Sequence, residues 1–120
     1  NIIFTSGQLP MENGAVKYTG MVGGTVELPA AQAAAELAAL NALGVAASIA
    51  GSVNNIKRIL KLTVFVNCVP EFTQHPEVAN GASELMLKIF GEAGKHARAA
   101  VGVGSLPRDA SVEVELIAEI

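Results

Sequence analysis

The stretch from Ile56 to Asn67 has the β-branched and aromatic content of a strand, and neither of its two faces is polar. Alternation places Leu60, Leu62, Val64 and Val66 on one side and Ile59, Lys61, Thr63 and Phe65 on the other. Helices of the same chain can cover one apolar side. A chain of 120 residues is one domain, so little remains to cover the second side except another subunit. Residues 1–120 are therefore read as a single domain that associates with copies of itself. Hydrophobic residues make up 51% of the chain and charged residues 16%. That balance excludes disorder and fits a domain with part of its surface hidden in an oligomer.

The remaining elements are read from periodicity and from turn residues. Ile2 to Ser6 is a β-branched run, and Glu12-Asn13-Gly14 supplies a tight turn, so an antiparallel pair ending near Val16 to Thr19 is expected. Pro29 to about Ala50 is rich in Ala and Leu and predicts a helix with Ala33, Leu37, Leu40, Gly44 and Ala47 on its buried stripe; Gly51 stops it. A second helix, about Glu77 to Phe90, carries Val78, Leu85 and Ile89. Two further strands follow, Ala97 to Val103 and Ala110 to Ile120. The order β-β-α-β-α-β-β belongs to the α+β class, one sheet with two helices packed on one face.

Eight basic residues against eleven acidic ones give a formal charge of −3, and the longest basic run is Lys57-Arg58. This balance argues against a nucleic-acid partner. Cys68 is the sole cysteine, which rules out an intrachain disulfide and fits a reducing compartment. No apolar stretch runs free of Gly, Pro or charge for the length of a membrane span, and the start lacks a signal-peptide pattern, so a cytoplasmic location without membrane contact is expected. His75 and His96 have no further His or Cys at ligand spacing, so no metal site is expected.

Two polar sets stand on otherwise apolar strands. Arg98 lies between alanines, where a guanidinium has room to receive a carboxylate in bidentate fashion; alternatively it forms a structural ion pair across the sheet with Glu113 or Glu115. Glu113 and Glu115 share one face of the last strand, where either can act as a general base or hold a water, or simply form a solvated face. The Thr5-Ser6-Gly7-Gln8 turn offers a hydroxyl and backbone N–H groups to an anion, although turn chemistry alone accounts for its Ser and Gly. Cys68 reads as a small packed hydrophobe.

In order along the chain, Thr5-Ser6-Gly7-Gln8-Leu9-Pro10, Val64-Phe65-Val66, Ala97-Arg98-Ala99-Ala100-Val101, Leu106-Pro107 and Val112-Glu113-Val114-Glu115 resemble the Rid/YjgF family, the reactive-intermediate deaminases also known as L-PSP endoribonucleases. The resemblance covers essentially the whole chain. It implies a chorismate-mutase-like fold with a single mixed sheet, and a homotrimer with three clefts between subunits. It also implies that Arg98 binds a substrate carboxylate, that Glu113 holds the attacking water, and that Ser6, Gly7 and Asn80 line the cleft. The implied reaction is hydrolysis of a 2-imino or enamine acid to a 2-keto acid and ammonia, without metal or organic cofactor. Ser83 and Ala100 depart from the family pattern, which has an aromatic and a Cys at these places in many or some members. The family's segment ahead of the first strand, which brings an aromatic to the cleft, is not in this chain. A non-catalytic protein binding a small carboxylate in the same cleft is the alternative, and an endoribonuclease the third, which the acidic charge opposes.

Overall fold

In the computed structural model, which describes residues 1–120, alanine decides how the first helix packs. Helix α1, Leu28–Ala50, opens with proline in its first turn and ends on Gly51 in a left-handed conformation. Its buried face is Ala31, Ala34, Ala35, Ala38, Ala39, Ala42, Leu43 and Ala46, not the stripe expected through Ala33, Leu37, Leu40, Gly44 and Ala47. Leu40 is 49% exposed. Small side chains let the helix backbone sit close to the sheet and to the second helix, so Leu40 turns outward while Leu43 stays inside. By length and composition α1 could cross a membrane, with a mean hydropathy of 1.6; here its alanine face forms part of the core.

Helix α2, His75–Phe90, begins two residues earlier than the sequence predicts and buries Val78, Ala79, Ala82 and Met86. Ile89, expected inside, is exposed. The two helices meet closely at Gly81, where a Cβ would sit 2.9 Å from the Gln32 carbonyl carbon. Gln32 also donates its side-chain amide to the Glu77 carbonyl at 2.9 Å, joining α1 to the first turn of α2.

The main sheet has four strands, β1 (Ile2–Phe4), β4 (Arg58–Asn67), β5 (Ala97–Val103) and β6 (Val112–Glu119), in the order β1-β6-β4-β5. Only β4 and β5 are parallel, joined through α2, so the sheet is mixed. Two short strands, β2 (Met11–Glu12) and β3 (Ala15–Val16), form a separate hairpin. The expected pairing of Ile2–Ser6 with Val16–Thr19 does not occur. The turn at Asn13-Gly14, both at positive φ, pairs Met11 with Val16, and that register cannot bring residues 2–6 opposite 16–19; β1 pairs with β6 instead.

Leu62, Val64 and Val66 of β4 and Val112, Val114, Leu116 and Ala118 of β6 face the helices and are fully buried or nearly so. A register shift between Ile59 and Lys61 breaks the alternation expected in β4, so Ile59 joins the buried face and Leu60 does not. The opposite face has no cover within the chain. It carries Phe65 and Ile117, and at its margins Phe4 is 70% exposed, Ile2 56% and Val101 44%.

Candidate functional site

Arg98 is on β5, an edge strand of the sheet, in parallel register with Leu62 of β4. Leu62 points to the helices, and residues in register on neighbouring strands share a face, so Arg98 projects toward α2. Its Nη1 donates to Asn80 Oδ1 at 2.8 Å and to Ser83 Oγ at 3.1 Å. Asn80 and Ser83 are three residues apart on α2 and therefore neighbours on one helix face. The two bonds use both Nη1 hydrogens and leave Nε–H and Nη2, the side-on edge that matches a carboxylate, without a partner in the chain. No acidic side chain pairs with Arg98. Ala100 follows on the same face, in register with Val64.

Ser83 Oγ lies 2.9 Å from His96 Nε2, and His96 Nδ1 lies 2.6 Å from the Gly94 carbonyl oxygen. Ser83, Leu87, Lys95, His96 and Arg98 line an open hollow of about 250 Å³. A small carboxylic acid fits such a volume.

Ser6, Gly7 and Glu113 form a second cluster. Thr5 N–H donates to the Leu116 carbonyl, and Leu116 N–H donates to Thr5 Oγ1, each at 3.0 Å. Gln8 exchanges both backbone bonds with Val114. Ser6 and Gly7 bulge outward between these anchors, and their N–H groups have no partner within the chain. Gly7 lies against Glu113: a Cβ there would be 2.8 Å from the Glu113 carboxyl carbon. The Glu113 carboxylate is half-buried and makes no ion pair.

The structure thus brings Asn80 to Arg98 and brings Ser6 and Gly7 to Glu113, but it does not bring the two sets together. Strand β4 separates β5 from β6, Arg98 is in register with Leu62, and Glu113 is opposite Phe65. The two residues are therefore about 10 Å apart across the sheet and about 10 Å along it, and on opposite faces. This removes the ion pair between Arg98 and Glu113 or Glu115 considered from the sequence. It also means that no single protomer can present both groups to one small molecule.

Ser83 and His96 are the site residues that sequence reasoning missed. Their signal is spacing: Ser83 is three after Asn80 on a helix, and His96 is two before Arg98 at the start of a strand. Elsewhere, Cys68 Sγ is 3.4 Å from His75 Nε2, and no third His, Cys, Asp or Glu joins them as a metal ligand. Burial pushes the Cys68 thiol above its ordinary range, partly offset by a backbone hydrogen bond at Val103.

Residues 1–120 match the family described as "YjgF/chorismate mutase-like, putative endoribonuclease". The chain is 44% identical over 119 residues to Protein TCP17 of Trypanosoma cruzi, covering 98% of this chain and 74% of that protein. Its structure matches that of Agrobacterium tumefaciens Atu1372, a protein of unknown function, with a TM-score of 0.96 and 51% identity over 100% of this chain and 76% of that one. The match to E. coli TdcF with bound serine has a TM-score of 0.66 and 25% identity, over 99% of this chain and 80% of the other.

Proposed function

The chain belongs to the YjgF/chorismate mutase-like family, and from that premise we propose that it is a hydrolytic deaminase of 2-imino and enamine acids, working in clefts between the subunits of a homotrimer. One observation carries the reading. Arg98 has a free carboxylate-matching edge, Glu113 has a free carboxylate, and the two stand on opposite faces of one sheet. A cleft that uses both must take Arg98 from one copy and Glu113 from the next. The uncovered face with Phe4, Phe65 and Val101 supplies apolar surface for such an assembly.

In this cleft Arg98 holds the substrate carboxylate through Nε and Nη2, while the backbone N–H groups of Ser6 and Gly7 and the Ser6 hydroxyl on the neighbouring copy donate to the remaining polar atoms. An enamine first becomes its imine by taking a solvent proton at the β-carbon as the N–H proton leaves; Glu113 then takes a proton from water as the water oxygen bonds to the imine carbon, and the C=N pair moves onto nitrogen, which takes up a proton from solvent. The tetrahedral carbinolamine then collapses: its hydroxyl proton passes to solvent, the C–N bond breaks, and ammonia departs carrying the proton that Glu113 had taken, leaving the 2-keto acid and the Glu113 carboxylate. The imine carbon is already electrophilic, so orienting one water against an anchored substrate is enough, and neither metal nor organic cofactor is needed.

The test is ammonia release from 2-imino acids generated in place by an amino-acid oxidase. Arg98→Ala should fall to the buffer rate with its fold and assembly intact; full activity in that variant would overturn the proposal. Small-carboxylate binding without turnover is the second reading, and the serine bound to E. coli TdcF favours it. Saturable binding that depends on Arg98, with no turnover of any imino acid, would select it. An RNA-cleaving role would require phosphate-binding cations, and the net charge of −3 does not favour one.

A further inference from the structure

We infer that His96 is a positioning residue for Arg98 and acts through the Ser83 hydroxyl; this deepens the deaminase reading and rests on Arg98 being its carboxylate anchor. The Gly94 carbonyl can only accept a hydrogen bond, so the 2.6 Å contact assigns the proton to His96 Nδ1. In the neutral ring Nε2 is then a bare lone pair. Ser83, 2.9 Å away, must point its hydroxyl hydrogen at that lone pair. Its oxygen is thereby left as an acceptor, and the donor it receives is Arg98 Nη1 at 3.1 Å.

The relay runs from the Gly94 backbone carbonyl, at the end of a short helical turn, through the imidazole and the hydroxyl, to the guanidinium. Asn80 Oδ1, at 2.8 Å, takes the other Nη1 hydrogen. Two acceptors on one nitrogen fix the plane of the guanidinium as well as its position, and the edge left over is Nε with Nη2. Without the imidazole, the Ser83 hydroxyl can rotate its hydrogen toward Arg98, and a donor facing a donor no longer holds that plane. Asn80 and Ser83 of α2 and His96 ahead of β5 thus cooperate on the orientation of Arg98.

The experiment measures binding of pyruvate, the simplest 2-keto acid product, by calorimetry, together with KM and kcat for imino-acid hydrolysis. His96→Ala and Ser83→Ala should each weaken pyruvate binding and raise KM about ten-fold with kcat little changed, because the carboxylate is held equally in ground and transition states. The double variant should be no weaker than Ser83→Ala alone. His96→Gln, whose Oε1 can accept from the Ser83 hydroxyl, should recover most of the loss, which a merely structural role for the ring would not predict. Thermal unfolding of each variant verifies that it is folded. Wild-type binding in His96→Ala, or losses that simply add in the double variant, would overturn the inference. Arg98→Ala separates the two levels. If it abolishes pyruvate binding while His96→Ala does not weaken it, only the relay fails; if it binds pyruvate normally, the deaminase reading fails as well.

Discussion

Placing a methyl group on Gly7 should displace the Glu113 carboxylate, which we propose holds the attacking water, while leaving the fold alone. Gly7 does not occupy the left-handed region, so alanine can take up its backbone conformation. The new Cβ would stand 2.8 Å from the Glu113 carboxyl carbon and 3.0 Å from Cγ. Carbon atoms settle at about 3.5–4.0 Å, so the carboxylate must retreat by about 1 Å. Glu113 is half-buried at the open face of β6, and its flexible end can yield without moving the strand. A displacement of that size at a group that orients the nucleophile costs about 10²-fold in rate. Gly7→Ala should therefore lower kcat for ammonia release about 100-fold, with pyruvate binding through Arg98 retained and the unfolding free energy in urea changed by less than about 1 kcal/mol. In a Glu113→Ala background the same substitution should cost nothing further, because the displaced group is gone. Wild-type kcat in Gly7→Ala, or an equal loss with and without Glu113, would refute the reasoning.

Thr5→Val keeps the shape of the side chain but leaves the buried Leu116 N–H without its acceptor, and should lower stability by about 1–3 kcal/mol in urea titrations; a loss below about 0.5 kcal/mol would contradict the anchoring of this turn. Cys68 predicts a pH effect: its thiol is raised by burial, so the folded state keeps the proton longer than the unfolded chain does. Stability should hold below the ordinary thiol range and decline as pH rises from about 8.5 through the raised value, and Cys68→Ala should remove that decline. Identical pH slopes for the two proteins between about pH 8 and 10 would rule the effect out.

The strands and helices were legible because their patterns are strong: β6 alternates without interruption from Val112 to Glu119, and alanine with proline and Gly51 frames α1. Pairing was not. Nothing local to Ile2–Phe4 says that its partner is the far end of the chain, and the Asn13-Gly14 turn offered a nearer one. The buried stripe of α1 differs from the expected one because apolar residues occur on every side of this helix, so spacing does not single out a face, whereas close packing selects the one richest in alanine. The irregularity at Leu60 is invisible to alternation, since Ile59 and Leu60, either of which could take the buried side, are both apolar. At the site, Arg98, Glu113, Ser6, Gly7 and Asn80 were picked out, but their division between two faces depends on β4 inserting between β5 and β6. Ser83 was noticed only as a departure and His96 only as a poor metal ligand. Spacing puts both near Arg98, but the chain of donors and acceptors that joins His96 to Arg98 through Ser83 follows from hydrogen-bond direction, which spacing does not encode.

The central claim, that each cleft takes Arg98 from one copy and Glu113 from the next, is tested most directly by mixing two inactive variants. Arg98→Ala and Glu113→Ala, unfolded together and reassembled in equal amounts, should recover about a quarter of wild-type ammonia release, as expected for random mixing in a three-membered ring whose sites each need one intact residue from each of two neighbours. Either variant reassembled alone should stay inactive. Mixed assemblies that form but recover no activity would contradict the shared cleft and return both residues to separate roles within one chain.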